Sequence, residues 1–173
     1  MCFDPDAHMD VPSASAPSGR RTRRSVGFTL LEIMFACAIA ALLMAIAVPA
    51  YHATIEKQKI RVCVNDLLKI SMALERYRTA HGLRLPDSLD ELENITRADP
   101  WGFEYRYLNF SSDEPGIKGK IRKDHNLHPL NSEFDLYSVG PDGKSVPPLT
   151  GKPSRDDIVF GRDGGFIGPA KDF

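Results

Sequence analysis

The chain has 173 residues, with 22 Lys or Arg against 23 Asp or Glu and a formal net charge of −1. That balance lacks the basic excess of a nucleic-acid-binding surface and excludes nucleic acid as the partner that composition would announce. The three cysteines, Cys2, Cys37 and Cys63, leave none beyond position 63, so no disulfide can staple the C-terminal part.

Residues 1–19 are rich in Pro, Ser and Ala without periodicity and read as a disordered leader, in which Met9 offers a second start. Arginines 20, 21, 23 and 24 follow, then an apolar run of 23 residues, Phe28 to Ala50. Its only formal charge is Glu32 and its only helix breaker is Pro49. As a helix the run spans roughly 30 Å at ~1.5 Å per residue, enough to cross a bilayer core. The arginines would stay cytoplasmic and the C-terminal part would lie outside.

Three readings of this stretch stay open on the residues alone. It fits a plain signal anchor. It also fits a cleaved secretory signal ending near Val48-Pro49-Ala50, although the run is long for an apolar region of ~7–15 residues. The third reading gives Glu32 a purpose. A charged group at mid-membrane costs on the order of 2.5–3.5 kcal/mol, less near the end of a span, and marks function by default. A cut between Gly27 and Phe28 would create an α-amine to neutralise it, in the same copy or a neighbour.

Gly27 followed by Phe28-Thr29-Leu30-Leu31-Glu32-Ile33 resembles the cleavage and methylation motif of type IV pilins and type II secretion pseudopilins. Pro49 also falls where that family often has a proline. The resemblance implies a membrane peptidase that cuts after Gly27 and methylates the new amine of Phe28. It further implies that Glu32 recruits and registers each subunit in a filament.

From Tyr51 to His81 the chain stays helix-compatible and becomes amphipathic. Ile60, Val64, Leu67, Ser71, Leu74 and Tyr77 form the core-facing stripe, with Glu56, Lys57, Lys59, Asp66 and Arg76 elsewhere around the wheel. Gly82 is a natural stop, and Pro49 should kink or loosen the helix by removing one hydrogen bond. Ser88 and Glu91 are spaced as a capping box for one short helix. Asp99-Pro100-Trp101-Gly102 suits a type I turn. Strands are expected at Phe103–Tyr107, around Ile117–Arg122 and at Phe134–Val139, forming a three-stranded antiparallel meander on the long helix. Beyond Val139 the sequence reads largely as loop. The fold class is α+β: leader 1–27, transmembrane and assembly helix 28–50, amphipathic continuation 51–82, and an extracytoplasmic domain 83–173.

The DPWG turn with its tyrosine strand, DLYSVGPDG (135–143) and Asp156-Asp157-Ile158 are similar to the major pseudopilin of type II secretion in particular. Asp142, Asp156 and Asp157 bracket a Pro-rich loop, where turn chemistry and a hard-cation site compete as explanations. The resemblance implies a structural calcium held by the carboxylates of Asp142, Asp156 and Asp157 with carbonyls near Val139 and Ser154. The insertion between Asp142 and Asp156 is longer than the family's, and Asp163 is a rival ligand. His125 and His128 read as solvent-exposed. No Ser/His/Asp context, CxxC pair or Gly-rich phosphate loop marks a catalytic centre, so an enzyme is not expected.

The function implied is a structural subunit of a short pseudopilus that drives protein export across the outer membrane. Its partners would be further copies of itself, other pseudopilins or minor pilins, a prepilin peptidase, and an inner-membrane assembly platform with a cytoplasmic ATPase. A type IV pilus subunit for adhesion, motility or DNA uptake is the alternative. From another class, a membrane-anchored extracytoplasmic binding module or enzyme also competes.

Overall fold

In the computed structural model, residues 27–173 are described apart from 113, 114 and 126, so the leader lies outside the described residues. Helix α1 runs unbroken from Leu30 to Ala80, with Pro49 inside it. It is long and apolar enough to cross a membrane, and none of its most apolar window is buried. Contacts divide the chain between Leu43 and Met44.

The end of α1 is fixed by backbone chemistry. Gly82 adopts φ +66°, and the Leu83 amide donates to the Arg78 carbonyl at 2.8 Å, the six-to-one bond of a Schellman stop. Glycine suits the left-handed position because it has no Cβ to clash. Ser88 then forms the expected capping box, over a 3₁₀ turn of three residues, Leu89–Glu91. Glu91 also accepts a hydrogen bond from the Tyr77 hydroxyl at 2.5 Å, tying that turn back to α1.

The sheet has four antiparallel strands in sequential order: β1 (Arg106–Asn109), β2 (Phe134–Ser138), β3 (Ile158–Gly161) and β4 (Phe166–Pro169). Three expectations are corrected here. Ile117–Lys120 is a short helix, α2, entered through Gly116 at φ +78°, where a strand over Ile117–Arg122 was expected. The stretch beyond Val139, expected as loop, supplies β3 and β4. The first strand is also shifted: Arg106–Asn109 pair with β2, whereas Phe103–Glu104 belong to the DPWG turn and its bridge to Ala98.

The reason β3 escapes a period-two reading is that both its faces are covered. Ile158 and Phe160 join Tyr105, Phe134 and Leu136 in the core against Cys63, Leu67, Ile70 and Leu74 of α1. Val159 points the other way, into a second cluster with Leu130, Leu149 and Ala170, flanked by Tyr137, Phe166 and Phe173. A strand buried on both faces is a continuous apolar run and loses its alternation.

The stripe on α1 packs as expected and is wider than expected. Cys63 and Ile70 are fully buried beside it, and burial pushes the Cys63 thiol up to about 12. Asp66, expected on the solvent side, is only 7% exposed. The Tyr105 hydroxyl donates to its carboxylate at 3.3 Å and Lys69 lies 3.5 Å away, so the acid is buried with partners.

Candidate functional site: the helix start and the acidic corner

Two regions hold the residues singled out by the sequence. At the first, Gly27 is exposed, Phe28 is 77% exposed, and the helix begins two residues later at Leu30. Thr29 caps it. Its Oγ1 accepts the Glu32 amide at 3.2 Å and its carbonyl accepts the Ile33 amide at 3.2 Å. Thr29 was not anticipated as a cap, although the spacing T-x-x-E before an apolar run carries that signal. The cap fixes where Glu32 sits, on the first turn of α1. Leu30, Leu31, Ile33, Met34 and Phe35 around it are all at least half exposed.

The second region is the acidic corner. Its five expected ligand residues are each engaged within the fold. Asp142 is exposed; its Oδ1 caps the Lys144 amide at 2.8 Å, and its own amide donates to Asp156 Oδ2 at 3.3 Å. Val139 and Ser154 are buried. The Ser154 hydroxyl staples the loop, accepting from the Val146 amide at 2.8 Å and donating to the Val146 carbonyl at 2.7 Å. Asp163 belongs to the far end of β3, because Ser138 pairs with Ile158 while Asp163 lies beyond Gly161. There it accepts from the Ser132 amide at 2.8 Å and the Ser132 hydroxyl at 3.0 Å. Gly140, at φ +66°, is required by contact as well as by conformation, since a Cβ there would lie 2.4 Å from the Asp156 carbonyl oxygen.

Asp157 is fully buried, and what meets it is Arg122, itself 2% exposed. Arg122 Nη2 donates to Asp157 Oδ2 at 2.5 Å, and the Ser145 hydroxyl donates to the same oxygen at 2.6 Å. Arg122 Nη1 reaches Ser145 Oγ, its guanidinium lies 4.1 Å over the Tyr137 ring, and its backbone amide donates to Asp135 Oδ2 at 2.6 Å. Burial raises the Asp157 carboxyl above its ordinary range, with Arg122 and Ser145 opposing the rise. Burial likewise lifts Asp135 to about 6 against the pull of Arg122 and Asn131.

A calcium cage would compete here with an ion pair already in place. Calcium takes six to eight oxygens, several from carboxylates. Among the described residues no three His, Cys, Asp or Glu side chains are grouped to hold a metal ion. The most buried acid of the three already faces a cation. Arg122 and Ser145 had no signal in the sequence that would single them out, since Lys120, Arg122 and Lys123 are equivalent on charge alone.

Similarity to known proteins agrees with the first region. Residues 23–48 match the prokaryotic N-terminal methylation motif. The chain is 32% identical over 142 residues to a type II secretion system core protein G of Pseudomonas aeruginosa, covering 70% of this chain and 87% of that protein. A core protein G of Klebsiella pneumoniae is 31% identical over 156 residues, covering 79% and 94%. One of Pectobacterium carotovorum is 32% identical over 145 residues, covering 72% and 81%. No solved structure matches. With the motif at the helix start and the likeness carried through the outer domain, the chain belongs to the pilin-like family of type II secretion system core protein G, the major pseudopilins.

Proposed function

We propose that this chain is the major subunit of a type II secretion pseudopilus, cut between Gly27 and Phe28, N-methylated on Phe28, and polymerised through its N-terminal helix. The observation that carries the reading is the exposed apolar run with one acid in its first turn. None of the most apolar window of α1 is buried, so its apolar surface must be covered by lipid or by other copies. Leu68 and Met72, further along α1, are also exposed and offer apolar surface to a neighbour. Before assembly the bilayer of the inner membrane holds the helix, with the outer domain periplasmic. In the filament the helices bundle, and Glu32 of one copy meets the Phe28 amine of the next. An ammonium group beside a carboxylate in low dielectric is worth far more than in water, so the pair sets the axial register.

The role is structural: the membrane peptidase that processes the chain and the ATPase-driven platform that extracts it supply the chemistry and the work. The core protein G relatives favour secretion over a type IV pilus. Glu32→Ala tests the reading against that of an anchored binding module. The filament reading expects membrane-inserted, folded subunit with cross-linked multimers and protein export both lost; multimers and export at the parent's level would refute it.

A further inference from the structure

We propose that in this chain the Arg122 guanidinium, and not a divalent cation, holds the long loop between β2 and β3 closed. The loop from Val139 to Asp157 needs an internal anchor, because no cysteine is present to staple it and it runs over Tyr137 and Val159 on the outer face of the sheet. Arg122 is joined to three points of that architecture at once. Its amide holds Asp135 on β2, its Nη1 holds Ser145 in the loop, and its Nη2 holds Asp157 at the start of β3. The next residue is zipped to the same loop: the Lys123 amide donates to the Pro147 carbonyl at 3.1 Å, and the Leu149 amide to the Lys123 carbonyl at 2.9 Å.

Two buried atoms at the corner have no partner, Arg122 Nε and Asp157 Oδ1. One is a donor and the other an acceptor, and they belong to the same ion pair. Nε and Nη2 form the side-on fork of a guanidinium that a carboxylate engages through two parallel bonds. One of the two bonds is in place, and the orphaned pair are the two halves of the second. A rotation that brought Nε onto Oδ1 would complete the fork, and both oxygens of Asp157 would then face the guanidinium instead of a metal. A calcium ion bound to Asp157 Oδ1 would instead sit beside a buried positive charge. The longer insertion between Asp142 and Asp156 and the arginine then have one explanation. The loop's anchor is part of the chain, so its closure is insensitive to calcium.

The test uses the full chain purified in detergent micelles, and the inference holds or fails whether or not the chain polymerises. Thermal melting is followed after exhaustive EGTA treatment and again with excess calcium chloride, together with tryptic nicking at the exposed Lys144, Lys152 and Arg155. The expected result is the same melting temperature and the same nicking rate in both conditions. Arg122→Gln is expected to melt about 10 °C lower, with faster nicking of the loop, because breaking a buried ion pair strands its partner. Arg122→Lys should rescue only partly, a lysine being unable to make the fork. A saturable rise in melting temperature with calcium in the unsubstituted chain would overturn the proposal. So would an Arg122→Gln variant that melts and resists trypsin as the parent does. Should Arg122→Gln fail to fold, the calcium response of the unsubstituted chain decides alone.

Discussion

The apolar run Phe28–Ala50 and the corner around Arg122 both place a carboxylate where water is to be excluded, and they differ in where the counter-charge comes from. At Asp157 the cation is within the chain, 2.5 Å away and fully enclosed. At Glu32 no cation stands beside the acid among the described residues, and its apolar neighbours are exposed. Buried charge needs a partner, so a carboxylate without one in an apolar run identifies the surface that is completed by another molecule. The corner is a finished piece of folding, and on the filament reading the helix start is half of an interface.

The comparison is tested most severely by Gly27→Val. A Cβ at Gly27 would meet nothing within 4 Å, so the substitution has no packing reason to disturb the fold. It should nevertheless block processing and abolish assembly almost completely, measured as uncut protein on gels and the absence of cross-linked multimers. Normal processing of this variant would show that the glycine is not read by the peptidase.

A large-to-small change within the enclosed region should have the opposite signature. Leu67 is fully buried between α1 and the sheet. Leu67→Ala should cost about 3 kcal/mol of stability, read by denaturant melting, with processing at Gly27 unchanged. A loss under about 1 kcal/mol would mean the core at Leu67 is not closed in the way its burial indicates.

The smallest expected effect is a pH dependence set by Asp135. Its carboxyl titrates at about 6 in the folded chain against an ordinary 3.8, so the folded state binds a proton more readily than the unfolded one. Stability attributable to this group therefore rises as pH falls through about 6 toward the ordinary 3.8, and is lost as pH rises back through about 6. Asp135→Asn should flatten that slope in melting curves taken across the interval. Glu91, whose carboxyl is held down by the Tyr77 hydroxyl, acts in the opposite sense, losing its contribution as pH falls through its lowered value.

What the sequence displays follows the same division. The helix start was legible because its signal is local: a glycine, a phenylalanine and an acid at fixed spacing ahead of an apolar run. The DPWG turn was legible for the same reason, and Asp99 makes it, accepting the Trp101 and Phe103 amides at 3.0 and 2.9 Å. The core stripe of α1 was visible in its period, although Asp66 was misplaced because its partner Tyr105 is 39 residues away. Strand β3 escapes the sequence because Ile158-Val159-Phe160 is buried on both faces and shows no alternation, and β4 because its Gly168-Pro169 reads as a turn. Arg122 was illegible because its partners are 13, 23 and 35 residues away and nothing near it in sequence distinguishes it from the neighbouring lysines.

On the filament reading, Glu32 is matched by an amine which proteolysis creates at Phe28. This match is tested most directly by the mass of the N-terminal peptide of the mature protein isolated from its host. The filament reading predicts a peptide beginning at N-methylated Phe28. A mature chain that retains residues 1–27, or that begins at Tyr51, would contradict it.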